Sequence, residues 1–341
     1  MNLNSKRIEA LVKLGNHLLD FNPNDKNYSV LQEQVKSASE SNGWFTQRSI
    51  EETFKSWGTT LSIEHITTWL KPYLFSTQKK SKKIALILAG NIPMVGFHDI
   101  ISVWVCEHKA LVKCASKDLF LLPYMTDFLT SETGEDFINY ETGKLTGFDA
   151  VIATGSNNAA RYFDHYFSSY PHIIRKNRNG IAVIEGNETK DELIALGKDM
   201  LQFFGLGCRN VAKIYLPEGY DLNKIFGGVY PYASLMKHAK YANNYDYNKA
   251  VFLMSTFDFL ENGFFMLKED KSFSAPIACT HYEYYKNIEE LSILLGQQKD
   301  LIQCIVSHLD IENSIPFGET QNPALWNYAD GIDTINFLLD I

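Results

Sequence analysis

The period of the hydrophobic positions changes near residue 84. Before it, apolar residues such as Ile8, Leu11 and Val12 recur every three or four positions, which is the spacing of amphipathic helices. We therefore predict that residues 1–75 form a helical section. This section carries no pattern of reactive side chains, so the chemistry of the protein is expected later in the chain.

Beyond this point, short apolar runs alternate with segments of helical period. The apolar runs cover residues 84–88, 110–114, 149–153, 181–184 and 211–216. The helical segments between them cover residues 97–107, 118–130, 157–167 and 190–204. Continuous apolar runs of this length are typical of buried parallel strands, and their alternation with helices indicates βαβ units. The sequence thus predicts an α/β fold that is built on a mostly parallel sheet.

Polar and small residues stand at or just after the predicted strand ends. Asn91 follows the first strand, Lys113 lies at the end of the second, and Gly155 and Ser156 follow the third. The carboxyl ends of parallel strands form one edge of the sheet, and α/β proteins bind their ligands there. This placement indicates a nucleotide site.

One cysteine stands in a segment that packing alone does not require. Residues 203–210 (FFGLGCRN) place Cys208 after two glycines, between a predicted helix and a predicted strand. A nucleophilic cysteine needs backbone N–H groups close to the developing oxyanion, and glycine permits that approach. The alternative is a buried cysteine that packs as a small hydrophobic residue. The local pattern leaves both roles open.

Composition narrows the class of protein. The chain has 341 residues, 45% hydrophobic content and a net charge of −8. It is therefore long enough for a sizeable core and has no basic field that would favour nucleic acid. Five cysteines are a sparse and odd set that does not suit a disulfide framework. Because the sequence lacks both a signal-peptide core and a run of about 18 apolar residues, we expect a cytoplasmic protein without a membrane span.

Two further clusters are assigned structural roles. Cys106, His108 and Cys114 match no zinc spacing, so both thiols are assigned to the core and no metal site is predicted. The lysine-rich residues 79–83 (KKSKK) are predicted to be a solvated linker. The alternative is that this run binds an anionic ligand such as the nucleotide of coenzyme A.

Taken together, several segments resemble the aldehyde dehydrogenase superfamily. Within it they are similar to the acyl-CoA reductases, typified by the fatty acyl reductase subunit of bacterial luminescence systems. The resemblance covers roughly residues 60–341. It depends on the order and spacing of residues 90–93 (GNIP), 112–116 (VKCAS), 153–156 (ATGS), 207–208 (GC), 315–318 (IPFG) and 328–333 (YADGID).

The resemblance implies a role for each segment. Cys208 would be the catalytic nucleophile, and the side chain of Asn91 would help to form the oxyanion hole. Lys113 would meet the adenosine ribose of the cofactor, and Gly155 and Ser156 would pack near its phosphates.

The resemblance also implies a domain organisation. It consists of a Rossmann-type parallel-sheet cofactor domain and an α/β catalytic domain, with the helical section at the N-terminus. The expected boundaries are 1–75 for the helical section, 76–175 for the cofactor-binding domain, 176–318 for the catalytic domain and 319–341 for a C-terminal tail.

Three departures from the family pattern matter. One residue that the family has between the glycine and the cysteine is missing at residues 207–208. Aldehyde-oxidising members also have a Glu about 34 residues before the cysteine, as the general base that hydrolyses the thioester intermediate. Ile174 stands near that position. Ser116, followed by Lys117, stands where NAD-preferring members often have a Glu, and leaves room for a 2′-phosphate. NADPH is therefore the expected cofactor, with NADH as the alternative.

The resulting prediction is NADPH-dependent reduction of an acyl-CoA to the aldehyde through a covalent acyl-cysteine intermediate. The alternatives are an NAD(P)-dependent aldehyde dehydrogenase, an acyl-carrying subunit of a multi-enzyme reductase complex, and a non-catalytic scaffold. We expect a homo-oligomer, and an acyl-transferring protein is a further candidate partner. His172, close to the missing Glu, is a candidate proton donor, although loop histidines are more often structural.

Overall fold

The structure is a computed structural model that describes residues 5–75, 80–116 and 118–341. Lys79 of the predicted linker and Lys117 of the predicted 2′-phosphate contact lie outside the described residues. The chain divides into two units. The first comprises Met1–Lys176 and Ala324–Ile341, and the second comprises Asn177–Pro323.

Helices and strands alternate through most of the described residues. The helices are α1 (Ser5–Leu19), α2 (Ser29–Ser41), α3 (Gln47–Thr60), α4 (Ile63–Leu70), α5 (Phe97–Val105), α6 (Leu121–Thr133), α7 (Asn157–Tyr166), α8 (Lys190–Leu201), α9 (Asn223–Val229), α10 (Ala239–Met254), α11 (Ile288–Gln297) and α12 (Thr334–Asp340). The strands are β1 (Lys83–Ile87), β2 (Lys109–Lys113), β3 (Ile138–Tyr140), β4 (Ala150–Thr154), β5 (His172–Arg175), β6 (Asn179–Val183), β7 (Val211–Pro217), β8 (Leu260–Glu261), β9 (Met266–Glu269), β10 (Cys279–Tyr285), β11 (Ile302–Val306) and β12 (Ser314–Ile315).

The N-terminal helices form where polar caps meet apolar faces. Thr46 caps α3 and Ser62 caps α4, because each side-chain oxygen accepts a backbone N–H three residues later. Helices α1 and α3 pack closely at two glycines, since a Cβ on Gly58 would lie 2.9 Å from the carbonyl oxygen of Gly15. Their apolar faces join the core that covers one face of the sheet in the first unit.

The described part of the first unit contains a five-stranded parallel sheet in the order β3-β2-β1-β4-β5. The side chains of β1 alternate, with Ile84 and Leu86 in the core under the helices and Ala85 in a smaller cluster on the opposite face. Strands β2 and β3 lie on one side of β1, and β4 and β5 lie on the other side. The strand order therefore reverses between β1 and β4.

The described part of the second unit contains a seven-stranded sheet in the order β12-β11-β6-β7-β10-β9-β8. Its strand pairs are parallel except for β8 and β9, which are antiparallel. Gly180 in β6 permits a close approach, because a Cβ there would lie 2.4 Å from the carbonyl oxygen of Arg209. The predicted α/β class with a parallel sheet is thus confirmed.

Three predictions of local structure are wrong. The helix predicted over residues 118–130 begins at Leu121. The segment around His172 was predicted as a loop, but His172 begins strand β5 at the edge of its sheet. The helix predicted over residues 190–204 ends at Leu201, and the backbone then turns left-handed. Strand β5 forms through its pairing with β4, and the amide of Asn210 binds the carbonyl groups at the end of α8.

A buried ion pair joins the C-terminal helix to the sheet of the first unit. Arg175 in β5 donates from Nη1 to Oδ2 of Asp99 at 2.5 Å, and from Nη2 to Oγ1 of Thr334 at 3.0 Å. The two charged side chains are only 6% and 5% exposed. Removing one partner from such a pair leaves the other charge buried without compensation.

We expect Asp99→Ala to lower the free energy of unfolding by about 3–5 kcal/mol, as measured by urea denaturation. The matched control is the surface pair of Arg48 and Glu52 in α3, whose side chains are 81% and 34% exposed. Glu52→Ala should cost about 0.5 kcal/mol or less. Equal effects of the two substitutions would contradict the prediction.

Candidate active site

The first unit brings several predicted residues to one edge of its sheet. The segment with Asn91 follows β1, and Gly155 and Ser156 follow β4. These strands flank the point where the strand order reverses. In open parallel sheets, the crevice at such a point is where ligands bind.

The turn after β4 has the features of a phosphate site. Gly155 packs tightly, because a Cβ there would lie 3.0 Å from Ala159 and 3.0 Å from Phe163. Ser156 caps α7 by accepting the backbone N–H of Ala159. The N-terminus of this ten-residue helix directs backbone N–H groups and a positive dipole toward the edge of the sheet. A phosphate group is the ligand that this arrangement favours.

Lys113 and Ser116 lie at and after the end of the neighbouring strand β2. The ammonium group of Lys113 donates to the carbonyl oxygen of Gly143 at 3.0 Å, and Ser116 is exposed. A lysine, an exposed hydroxyl and a helix N-terminus on the same sheet edge fit the ribose and phosphates of a dinucleotide. Contact of these residues with a cofactor stays a prediction.

The segment that carries Asn91 is held by close packing. A Cβ on Gly90 would lie 2.6 Å from Cβ of Ala115, so only glycine fits there. The buried amide of Asn42 donates to the carbonyl oxygen of Gly90 at 3.4 Å. Met94 has φ = 56°, a left-handed conformation that is unfavourable for its side chain. Asn91 itself is exposed at this turn.

A buried carboxyl group lies beneath the same turn. Asp118 is 1% exposed, and within the described residues no hydrogen bond reaches either of its carboxyl oxygens. Burial raises the pKa of Asp118 to about 7. The backbone N–H of Met94 opposes this rise in the pKa. The protonated form of Asp118 is therefore stabilised in the folded chain.

The titration of Asp118 predicts a pH-dependent stability. Between its ordinary value of 3.8 and about 7, the unfolded chain loses a proton that the folded chain keeps. The free energy of unfolding therefore falls as pH rises through this window and is level above it. Asp118→Asn removes this titration. The free energy of unfolding of the variant minus that of wild type should rise by about 2–4 kcal/mol from pH 4 to pH 8. Urea denaturation at the two pH values measures this change, and a constant difference would contradict it.

In the second unit, Cys208 lies in a β-turn between α8 and β7. The turn spans residues 207–210 and is closed by the backbone N–H of Asn210, which donates to the carbonyl oxygen of Gly207 at 3.0 Å. Cys208 and Arg209 are its central residues, and the thiol is half-buried. Gly207 is closely packed, because a Cβ there would lie 2.9 Å from Oδ1 of Asn210 and would displace that side chain.

The backbone before this turn is strained. Phe203, Phe204 and Gly205 have φ angles of 53°, 60° and 74°. Two consecutive phenylalanines in the left-handed region are costly, at about 1–2 kcal/mol each. The ring of Phe204 packs on His238, with centroids 4.4 Å apart. Strain of this kind persists only where surrounding contacts impose it, and it is concentrated at functional sites.

The late Pro-Phe-Gly segment is fixed to α8 beside the cysteine turn. The buried carboxylate of Asp199 accepts the backbone N–H groups of Gly318 at 2.6 Å and Thr320 at 3.1 Å. Nε of Arg209 donates to the carbonyl oxygen of Thr320 at 2.6 Å. Burial raises the pKa of Asp199, and the two N–H donors oppose this. The segment and the turn thus form one polar cluster.

The other cysteines differ from Cys208 in their surroundings. Burial raises the pKa of Cys114 to about 12, that of Cys279 to about 12 and that of Cys304 to about 11. Cys106 is 6% exposed. These environments keep thiols protonated or inaccessible, so they suit packing and not nucleophilic attack. All five cysteines are described, and none forms a disulfide.

Three polar residues that shape these sites were not assigned from the sequence pattern. Asp118, Asp199 and Asn210 are all buried. Asp199 carried a usable signal, because it lies between apolar residues on the inward side of a predicted helix. Asn210 has no distinct signal within the cysteine segment. Asp118 has the sequence context of a residue at the start of a helix, but that helix begins at Leu121.

Within the described residues, no group of three or more His, Cys, Asp or Glu side chains could hold a metal ion. Across the same ranges, every helix is too short or too polar to cross a bilayer.

Known proteins resemble this chain in structure and not in sequence. No protein-family model and no curated protein matches it. Aldehyde dehydrogenase 21 from Physcomitrella patens, solved in complex with the reaction product succinate, is 11% identical. The match covers 98% of this chain and 83% of that chain, with a TM-score of 0.67.

Two further structures show the same likeness. An aldehyde dehydrogenase of Mycobacterium tuberculosis complexed with NAD+ is 12% identical, covering 90% of this chain and 74% of that chain with a TM-score of 0.61. A mutant of aldehyde dehydrogenase C from Pseudomonas syringae, complexed with NAD+ and octanal, is 10% identical, with coverages of 91% and 74% and a TM-score of 0.62. The chain therefore has the aldehyde dehydrogenase fold, as the motif resemblance implied.

Proposed function

We propose that the protein is an NADPH-dependent reductase that converts an acyl thioester to an aldehyde through an acyl group bound to Cys208. The observation that carries this proposal is the geometry around Cys208. Its half-buried thiol lies at the centre of a glycine-containing turn, directly after a strained left-handed segment. The aldehyde dehydrogenase fold supports a nucleophilic role for a cysteine in this part of the chain.

The proposed reaction has two stages. The thiolate of Cys208 attacks the carbonyl carbon of the acyl thioester, the bond from that carbon to the coenzyme A sulfur breaks, and coenzyme A leaves with the bonding electrons as a thiolate. Bound NADPH would supply the hydride that reduces the acyl carbon. The bond between that carbon and Cys208 then breaks, which releases the aldehyde and restores the thiolate.

The protein would contribute electrostatic stabilisation to both stages. We assign this role to the backbone N–H of Cys208, as a donor to the oxygen that becomes negative. The amide of Asn91 keeps the oxyanion role that the motif resemblance implies. The Asn91 turn is packed against its neighbours by Gly90, so the amide is presented on a rigid support. A rigid donor is effective because it needs no reorganisation when charge develops.

Reduction is favoured over hydrolysis by the side chain at position 174. Ile174 is a partly buried residue of β5 within a hydrophobic cluster. A hydrocarbon side chain there cannot accept a proton from water. Without a general base, hydrolysis loses a factor of roughly 10²–10⁴, so the acyl-enzyme should persist long enough to be reduced. His172 in the same strand stays a candidate proton donor.

A dinucleotide would be held in the first unit by Lys113, Gly155, Ser156 and the N-terminus of α7. Two of the structural neighbours were solved with NAD+, which supports a nicotinamide dinucleotide here. The preference for the 2′-phosphorylated form depends on Ser116, whose exposed hydroxyl leaves space that a carboxylate would oppose. The sparse thiols favour a cytoplasmic location.

A mass measurement tests the reaction. The protein is incubated with a panel of acyl-CoAs in the absence of cofactor, and its intact mass is followed over time. We expect one acyl adduct that survives removal of free coenzyme A and is discharged as aldehyde when NADPH is added. Cys208→Ala should form no adduct, whereas Cys279→Ala, which alters a buried thiol of the same unit, should still form it.

Other outcomes distinguish the alternatives. Rapid release of free acid without cofactor would indicate an aldehyde dehydrogenase or a thioesterase. An adduct that forms only when a second protein supplies the acyl group would indicate an acyl-carrying subunit. Full adduct formation by Cys208→Ala would contradict the proposed role of Cys208.

The cofactor preference has its own test. Ser116→Glu introduces a carboxylate where the 2′-phosphate would lie, so kcat/KM with NADPH should fall at least tenfold through charge repulsion. The value with NADH should change little or rise. Ser131→Glu, on the exposed side of α6, is the control for added negative charge. A wild-type preference for NADH would refute the assignment of NADPH.

A further inference from the structure

Asn210 closes the cysteine turn from both sides. It is only 3% exposed. Its backbone N–H donates to the carbonyl oxygen of Gly207 at 3.0 Å, and its side-chain Oδ1 accepts the N–H of the same glycine at 2.8 Å. Gly207 is therefore clamped by one residue through both of its backbone polar groups. Cys208 lies between the two ends of this clamp.

The amide nitrogen of Asn210 ties the turn to the helix before it. Nδ2 donates to the carbonyl oxygen of Asp199 at 2.9 Å and to that of Gln202 at 3.0 Å. Carbonyl groups at the end of a helix have no partners within the helix and need donors from elsewhere. One side chain thus spans the strained segment with Phe203 and Phe204 and fixes both of its ends.

We propose that Asn210 is a positioning residue for Cys208, which sets the direction of the thiol and backbone N–H of that cysteine. The inference rests on the proposed function of Cys208. Only Cys208 and Arg209 separate Gly207 from Asn210 in this turn, and the side chain of Asn210 adds a second closure to the backbone hydrogen bond. An asparagine supplies that closure, because its short amide offers one acceptor and two donors.

Two substitutions separate positioning from folding. Asn210→Asp keeps the acceptor for Gly207 and loses both donors, and Asn210→Ser serves if the charged variant does not fold. We expect the rate of acylation from acyl-CoA to fall roughly 100-fold in a protein that remains folded. The alkylation profile is read in Asn210→Ser, which adds no charge. A turn that no longer holds Cys208 in place should stabilise the thiolate less, so alkylation of Cys208 by iodoacetamide should shift about 0.5–1 unit to higher pH. Peptide mass spectrometry follows the alkylation.

Asn248→Asp is the matched control. Asn248 in α10 belongs to the same unit and donates from Nδ2 to the carbonyl oxygen of Ile277 at 2.9 Å. It makes no contact with the turn through that bond, so its variant should lose stability and keep the wild-type acylation rate and alkylation profile.

The acylation rate and the alkylation profile together support or contradict the inference. If the Asn210 variant loses stability but keeps the acylation rate and alkylation profile of the control, Asn210 is a structural residue and the inference is wrong. If wild-type protein accepts no acyl group from any thioester, the proposed function fails. The alkylation profile of Cys208 needs no substrate, so it still decides whether Asn210 positions the thiol.

Discussion

Each residue assigned to chemistry in this chain lies where a helix or strand ends, and there the backbone polar groups must find new partners. A buried N–H or carbonyl group without a partner costs free energy comparable to a lost hydrogen bond. At the end of α8 that demand is met by the amide of Asn210. On the neighbouring segment it is met by the carboxylate of Asp199, and at the start of α7 by the hydroxyl of Ser156. Satisfying the backbone therefore also determines where the reactive groups point.

The same requirement explains why the cysteine turn can hold a strained conformation. The left-handed stretch at Phe203 and Phe204 is unfavourable by itself. It is enclosed by hydrogen bonds on one side and by the contact of the Phe204 ring with His238 on the other. A turn that is over-determined in this way moves little, and a nucleophile with little freedom needs less reorganisation to reach its transition state.

Much of the fold could be predicted from the sequence because the central strands are buried on both faces. Such strands appear as continuous apolar runs, so β1, β2 and β4 were predicted to within a residue or two of their observed ends. Short edge strands such as β3 and β5 have no such signature, since their pairing depends on neighbours already in place. The polar residues at the strand ends were also predictable in position, because the parallel topology sends those ends to one edge.

The buried polar groups could not be predicted in the same way. Asp118 is surrounded by residues from separate segments, and nothing in its local sequence distinguishes it from an ordinary residue at the start of a helix. The left-handed conformation of Phe204 is equally hidden, because the intrinsic preference of phenylalanine points to other regions of backbone space. Asn210 illustrates the intermediate case. Its residue type suits a turn, but its bonds to the end of α8 appear only when the helix is known to stop early.

The discontinuity of the first unit has a consequence for synthesis of the chain. Its core includes Leu325, Ile335 and Leu338, and its buried Arg175 uses Thr334 as a partner. The ribosome delivers these residues only after the whole of Asn177–Pro323 has been made. The second unit is continuous and can collapse while translation proceeds, whereas the first must wait with part of its apolar surface uncovered. Nascent chains that stall before residue 324 should therefore depend on chaperones, and the order of maturation should be second unit before first.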